Sequence, residues 1–117
     1  MAGGLTAQDI VQNAFNRFGE DYSNVNVKVV EPGHWALKRP GQDRVAAAMR
    51  TQGGGEWVVV SNAFSETPDY QSLLEHEIAH LRAWRKYGEG IREHGRRFNA
   101  FCRETVTNRP NYFCKRG

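Results

Sequence analysis

The chain has 117 residues, 39% hydrophobic and 25% charged, with a formal net charge of +3, which fits one soluble globular domain over 1–117 and excludes a disordered chain. No apolar run approaches the roughly 20 residues that a bilayer-spanning helix needs, so we expect no membrane partner. Because the N-terminus also lacks the basic and continuous apolar segments of a secretory signal, we expect a cytoplasmic protein, and we take it to be a monomer.

An amphipathic helix is predicted at the start of the chain. Apolar residues recur at helical spacing over about 5–19, with Thr6 as the capping residue and Gly19 as the stop. After this helix, valines alternate with polar residues over 25–31. This period of two indicates a half-buried strand.

Two further strands are predicted in the middle of the chain. The segment 56–64 is strongly β-prone. The segment 44–51 could be a strand or a helix on composition, but its short length and the glycines of 53–55 that follow it favour a strand. We expect a hairpin or a loop with a bulge between the two segments, because a glycine-rich turn separates them.

Two helices and a tail are predicted after the strands. Thr67 and the proline that follows it favour a helix over 68–87, which ends at the glycines of 88–90. A last helix over about 94–107 has apolar residues along one side, and we expect 108–117 to form a flexible basic tail. The order of helix, strands and two helices indicates an α+β fold.

The two cysteines, Cys102 and Cys114, form neither a disulfide framework nor a paired metal knuckle. We therefore expect free thiols in a reducing compartment. Cys102 falls on the apolar side of the last predicted helix, where a cysteine usually behaves as a small hydrophobic residue.

The segment 73–84, LLEHEIAHLRAW, contains a His-Glu-x-x-His pattern. His76 and His80 are four residues apart, so on a helix both can present a ring nitrogen to one metal ion, with Glu77 beside that ion. The pattern is typical of zinc metalloproteases, whose catalytic zinc takes three protein ligands and keeps one position for water. The alternative is an exposed helix that carries two unrelated histidines, which the apolar flanking residues disfavour.

A third histidine, His94, opens the segment HGRRF. The glycines at 88 and 90 would let the last helix fold back so that His94 approaches the other two, and Gly95 would allow close backbone packing against the metal site. The alternative is a helix-terminal residue in solvent. The fourth histidine, His34, lies in a Pro-Gly loop and is interpreted as a surface residue.

The stretch LLEHEIAHLRAWRKYGEGIREHGRRFNAFC resembles the core of the SprT-like metallopeptidases, the family of the Spartan-type DNA–protein crosslink proteases. The likeness lies in the His-Glu-x-x-His pattern, the basic and aromatic connector and the segment HGRRF, and it extends over about 5–107. It implies a zincin-like core with an N-terminal helix, a small antiparallel-type sheet, a metal-binding helix and a C-terminal helix. It also implies one zinc ion held by His76, His80 and His94, with Glu77 as the general base.

The resemblance also implies a protein or peptide substrate. The strand within 56–64 would offer its edge to an extended peptide by strand addition. Many members of the family continue into a four-cysteine zinc ribbon, whereas this chain has two cysteines and corresponds to a minimal domain.

Basic residues are concentrated in the last third of the chain. The range 1–80 holds six Lys and Arg against ten Asp and Glu, a balance of −4, whereas 81–117 holds ten against three, a balance of +7. Such a surface can attract DNA, although a solvated surface that keeps the protein soluble is the alternative. The candidate nucleic-acid contacts near the motif are Arg82, Arg85, Lys86, Arg92, Arg96 and Arg97.

We therefore expect a zinc-dependent endopeptidase that acts on DNA-associated proteins, as in DNA–protein crosslink repair, with Glu77 activating a water molecule. Two alternatives remain open. One is a non-catalytic zinc-containing nucleic-acid-binding module, which is disfavoured because a closed structural zinc site needs four protein ligands. The other is a metallopeptidase that acts on a repressor or toxin partner.

Overall fold

The computed structural model describes residues 5–114, which form an α+β fold. Among these residues the α-helices are α1 (Ala7–Arg17), α2 (Tyr70–Tyr87), α3 (Arg96–Thr105) and α4 (Pro110–Phe113). The strands are β1 (Val25–Val30), β2 (Lys38–Arg39), β3 (Gln42–Asp43), β4 (Ala46–Arg50) and β5 (Glu56–Ser61). Within this described range, no helix has the length and apolarity needed to cross a membrane.

The main sheet has the strand order β1-β5-β4 and is mixed. β4 and β5 form the predicted antiparallel hairpin, with Ala48 opposite Val58, whereas β1 runs parallel to β5, with Val27 opposite Val58. The prediction of an antiparallel-type sheet was therefore wrong for β1. A parallel neighbour needs a crossover connection, and the chain between β1 and β5, which includes the short β2–β3 hairpin, supplies it.

The first helix begins and ends where the sequence predicts. Thr6 Oγ1 accepts a hydrogen bond from Asp9 N–H (3.1 Å), and Asp9 Oδ2 accepts one from Thr6 N–H (3.2 Å). This reciprocal pair is a capping box. At the other end, Gly19 adopts φ = 64°, a left-handed conformation that ends helices and favours glycine.

The metal-motif helix α2 begins two residues later than predicted. Thr67 does not cap it, because its N–H donates to Phe64 O and closes a 3₁₀ turn over Phe64–Glu66. Asp69, with φ = 59°, precedes the first helical residue instead. The helix ends at Gly88 as predicted, with φ = 80°.

The helices α1 and α2 cover one face of the sheet and enclose the principal core. Its fully buried members include Phe15 from α1, Val58 from β5, and Leu74 and Ile78 from α2. A separate cluster between α2 and α3 contains Ala79, Phe98, Cys102, Val106 and Cys114. The metal motif therefore lies on a helix that is held from both sides.

The two cysteines form a disulfide, so the prediction of free thiols was wrong. Cys102 is fully buried in α3, as the sequence predicts, and its Cα lies 5.8 Å from that of Cys114. The short helix α4 turns the chain back across α3 and brings position 114 within disulfide reach. Within the predicted flexible tail, Pro110–Phe113 therefore form α4 and Cys114 is tied to α3, although Tyr112 is 70% exposed. Residues 115–117 lie outside the described residues.

A buried arginine joins the three long helices. Arg82 on α2 is 5% exposed; it donates to Glu20 Oε2 (2.8 and 3.0 Å), forms an ion pair with Glu104 (2.7 Å) and lies 3.7 Å above the Phe18 ring. Its partners follow α1 and belong to α3. Arg82 therefore fixes how these helices pack around α2.

We expect Arg82→Met to lower the free energy of unfolding by about 2–3 kcal/mol. Methionine keeps the aliphatic packing but removes hydrogen bonds to charged groups, and the loss is limited because the Glu20 and Glu104 side chains keep access to water. Urea unfolding measures the change. Arg109→Met is the control, because the Arg109–Asp69 pair is exposed at the surface and should contribute about 1 kcal/mol or less; equal losses for both variants would contradict this interpretation.

Candidate metal centre

Three histidines converge beside α2. His76 and His80 lie on successive turns of the helix, and His94 lies in the turn that precedes α3. The ring centroids are 5.2 Å apart for His76 and His80, 5.4 Å for His76 and His94, and 5.1 Å for His80 and His94. One nitrogen from each ring lies within 4.8 Å of the other two, so the three can hold a metal ion.

The spacing of one pair of ring nitrogens suits a tetrahedral ion. His76 Nε2 lies 3.4 Å from His94 Nε2. Zinc–nitrogen bonds of about 2.0–2.1 Å at a tetrahedral angle separate two ligand nitrogens by about 3.3–3.4 Å. The donor set of three imidazoles also suits other divalent transition metals, so the geometry defines a candidate metal site without naming its ion.

Two glycines bring His94 to the site. Gly88 ends α2 with φ = 80°, which turns the chain back. A Cβ at Gly95 would lie 3.0 Å from Arg92 Cβ, so a larger residue there would press on the Arg92 side chain and shift it. This differs from the predicted contact between Gly95 and the metal site itself.

A main-chain carbonyl orients His76. Its Nδ1 lies 3.0 Å from Phe113 O, and since a carbonyl only accepts, Nδ1 carries the hydrogen and Nε2 faces the other histidines. Burial, together with the nearby His94, lowers the pKa of His76 to about 4, although the Phe113 hydrogen bond acts in the opposite direction. His76 is therefore neutral near pH 7, the form that binds metal.

The ring of Phe98 contacts the rings of all three histidines. Its ring stacks on His80 at a centroid distance of 4.0 Å and an angle of 18°, and it meets His76 and His94 edge-on at 5.1 and 5.2 Å. Phe98 is 2% exposed and His80 5% exposed. The sequence identified Phe98 as an apolar helix residue, but its contact with every ring of the site depends on how α3 packs on α2.

The carboxylate of Glu77 contacts the sheet, and Glu77 lines the same cleft as His76. The N–H of Ala48 in β4 donates to Glu77 Oε1 at 3.1 Å. The sequence-based prediction that the 56–64 strand offers its edge to a substrate was wrong, because β5 lies between β1 and β4 and both of its edges are paired. The strand beside Glu77 is β4.

The edge of β4 faces the metal site. Val45 O accepts from Ser61 N–H (2.8 Å) and Thr51 N–H donates to Gly55 O (2.9 Å), so the odd-numbered residues of this strand bond to β5. Alternate residues direct their main-chain groups away from β5 and towards α2, as the Ala48 contact confirms. These residues are Ala46, Ala48 and Arg50.

A cleft of about 390 Å³ runs between β4 and α2 and reaches the metal site. Its walls come from the start of β4, from α2 and from the C-terminal segment. The lining residues are Arg44, Val45, Ala46, Leu73, His76, Glu77, Tyr112 and Phe113. An extended chain lying in this cleft would therefore contact both the β4 edge and Glu77.

Two of the six candidate nucleic-acid residues have structural partners. Arg82 is buried in the helix-joining network described above, and Arg85 forms two hydrogen bonds with the buried Glu56, at 2.7 and 2.8 Å. These two guanidinium groups stabilise the fold from within. The other four candidates are exposed: Lys86, Arg92, Arg96 and Arg97.

The fourth histidine lies outside the metal site. His34 is half-buried, and its Nδ1 accepts a hydrogen bond from Ala36 N–H at 3.1 Å, which caps the 3₁₀ turn of Trp35–Leu37. It therefore has a local structural role in its loop and is not one of the converging histidines.

Comparisons of the chain with protein-family models, with curated proteins and with solved structures found no match. The function must therefore be argued from the site. The described residues provide a small α+β fold, a three-histidine group able to hold a metal ion, and a glutamate that lines the adjoining cleft and is held by an edge strand.

Proposed function

We propose that this chain is a zinc-dependent endopeptidase of the SprT-like type, with a zincin-like core. The single observation that carries the proposal is the group of three converging imidazoles beside a cleft that Glu77 also lines, where Glu77 accepts a hydrogen bond from an edge strand. A structural zinc site is normally closed by four protein ligands. Three imidazoles beside a cleft favour a catalytic site over a closed structural one.

Each residue of the site has its own role in the proposed hydrolysis. His76, His80 and His94 would hold the ion, which when bound supplies a water molecule of lowered pKa and polarises the scissile carbonyl. Glu77 would take the proton from the attacking water and pass it to the leaving amine. The Ala48 N–H fixes one carboxylate oxygen of Glu77 and so sets the direction in which the group accepts a proton.

The substrate would bind as an extended peptide along β4. The outward main-chain groups of Ala46 and the carbonyl of Ala48 would pair with it by strand addition, because the Ala48 N–H is engaged by Glu77. Leu73, Tyr112 and Phe113 would contact its side chains from the walls of the cleft. The strand that binds substrate is thus β4 rather than β5. This position holds the peptide beside Glu77.

Metal removal tests the proposal. We expect the zinc-loaded protein to cleave an unfolded protein such as labelled casein, to lose this activity on treatment with a chelator, and to regain it with one equivalent of Zn²⁺. His80→Ala is the matched control and should stay inactive after zinc is added. An equal cleavage rate with and without metal would contradict the proposal.

DNA is the partner we propose for this peptidase, with DNA-associated proteins as substrates and the cytoplasm as its location. The supporting observation is that Arg92, Arg96 and Arg97 are exposed on both sides of His94, so a bound polyanion would lie next to the cleft. The Arg97 guanidinium lies 4.9 Å above the Tyr87 ring, an arrangement that also suits stacking on bases.

We expect Arg96→Gln with Arg97→Gln to weaken binding to single-stranded DNA and to make its dependence on salt less steep, by roughly 0.7 in the logarithmic slope for each phosphate that is no longer neutralised. Fluorescence anisotropy over a series of salt concentrations measures both effects. Lys28→Gln with Lys38→Gln removes the same charge elsewhere on the surface and should leave binding unchanged. Equal effects of the two pairs would favour a peptidase that acts on a repressor or toxin partner without DNA.

A further inference from the structure

The disulfide, a carbonyl and a metal-site histidine meet at one point. Phe113 O lies 3.0 Å from His76 Nδ1, and Cys102 Sγ lies 3.6 Å from the same nitrogen and 3.7 Å from the same carbonyl. Cys114, bonded to Cys102, directly follows Phe113. Residues 110–114 together with this bond are called the clasp.

The disulfide is the strongest tie that holds the clasp in place. α4 is a single turn of four residues, too short to be stable alone. Two polar contacts around it are exposed, Arg109 with Asp69 (2.9 Å) and Arg103 with Asn111 (2.8 Å), and such contacts stabilise little. The part-buried ones are the Phe113 O contact with His76 and, just before α4, the hydrogen bond that Ser72 Oγ donates to Asn108 O (2.8 Å). Loss of the covalent bond would therefore free the segment that carries the Phe113 carbonyl.

We propose that the clasp is a redox-sensitive device that sets the metal affinity of the site. In the oxidised state the bond holds Phe113 O against His76, fixing the tautomer and ring orientation that metal binding needs. In the reduced state the segment moves away and His76 loses that acceptor. This inference rests on the metal centre of the proposed function but not on proteolysis.

A dithiol reductant can carry out the redox step. One of its thiolates attacks a sulfur of the Cys102–Cys114 bond to form a mixed disulfide, and its second thiol then displaces the remaining cysteine. Two electrons pass to the chain, which gains two thiols, while the reductant becomes a cyclic disulfide. Because both cysteines are buried, residues 110–114 must open before the attack, and the opened segment also widens the cleft that Tyr112 and Phe113 line.

The size of the effect follows from the partner that is removed. Removal of the acceptor of a metal-ligating histidine typically lowers metal affinity about 10- to 100-fold. A reducing compartment would keep the clasp open and an oxidising one would keep it closed. The disulfide would thus couple the redox state to the metal content of the protein.

The test compares the Kd for Zn²⁺ of oxidised wild type with that of wild type reduced by a phosphine, using competition with a chromophoric chelator. Alkylation and mass measurement verify that two thiols form. We expect Kd to rise about 10- to 100-fold on reduction and to recover on reoxidation. The variant Cys102→Ala with Cys114→Ala should have the weaker Kd with or without the phosphine.

The outcomes separate the clasp from the proposed function. An equal or lower Kd in the reduced state overturns the clasp and leaves the zinc site standing. Loss of the far-UV circular dichroism signal on reduction also overturns it, because the disulfide would then stabilise the whole fold and not only residues 110–114. Absence of zinc binding in both states overturns the clasp and the peptidase together, whereas a shift in Kd without any proteolysis supports the clasp and contradicts the peptidase.

Discussion

Glu77→Gln is expected to lower kcat for peptide cleavage about 100- to 10,000-fold, the usual contribution of a general base, while zinc content stays at one ion per chain. Glutamine has the same shape and keeps an oxygen that can accept from Ala48 N–H, as Glu77 Oε1 does at 3.1 Å. It cannot accept a proton from the attacking water. Steady-state kinetics on the zinc-loaded protein, together with elemental analysis, measure both quantities.

Glu89→Gln is the matched control for this substitution. Glu89 is an exposed acid in the turn after α2, so the variant makes the same chemical change outside the cleft. Its kcat should equal that of wild type. If Glu77→Gln kept wild-type activity, the proton transfer would belong to another group, and if it lost its zinc, Glu77 would have to be counted as a ligand.

His94→Ala is expected to raise the Kd for Zn²⁺ by a factor on the order of 100 or more. Zinc sites with four protein ligands bind with about 10–16 kcal/mol, so one ligand contributes roughly 3 kcal/mol, and each 1.4 kcal/mol is a factor of ten. His94 is the ligand contributed from outside α2, and its Nε2 lies 3.4 Å from that of His76. Chelator competition measures the change.

His34→Ala is the natural comparison, because it removes an imidazole that caps a 3₁₀ turn. Its zinc affinity should match that of wild type, with at most a small loss of stability. A weaker Kd for His34→Ala, or an unchanged Kd for His94→Ala, would mean that a different set of residues holds the ion.

Features governed by local sequence were predictable. The capping box at Thr6, the turn at Gly88 and the hairpin of β4 and β5 each depend on residues a few positions apart. The spacing of His76 and His80 is likewise a property of one helix. For His94, the glycines of the connecting segment indicated that the chain could return to the pair.

Features that depend on distant contacts were not predictable from these patterns. The parallel pairing of β1 with β5, the central position of β5 and the disulfide each require knowing which segments meet. The contact between the Phe113 carbonyl and His76 could not be predicted from the sequence, because every residue carries a main-chain carbonyl.

The partners of charged residues could not be predicted from the sequence either. Ten basic residues in the last third indicated a basic surface, but Arg82 and Arg85 pair with Glu20 and Glu56, which lie far earlier in the chain. A charged residue on a helix is assigned to the surface by default. Only the packing of α2 against α1 and the sheet shows that these two arginines point inwards.

X-ray absorption at the zinc edge of the zinc-loaded protein tests the central claim, a three-histidine catalytic centre, most directly. The expected spectrum has three imidazole nitrogens and one oxygen at about 2.0–2.1 Å, and the oxygen is replaced when a peptide hydroxamate is added. A sulfur neighbour near 2.3 Å, a fourth imidazole, or no zinc retained after gel filtration would contradict it.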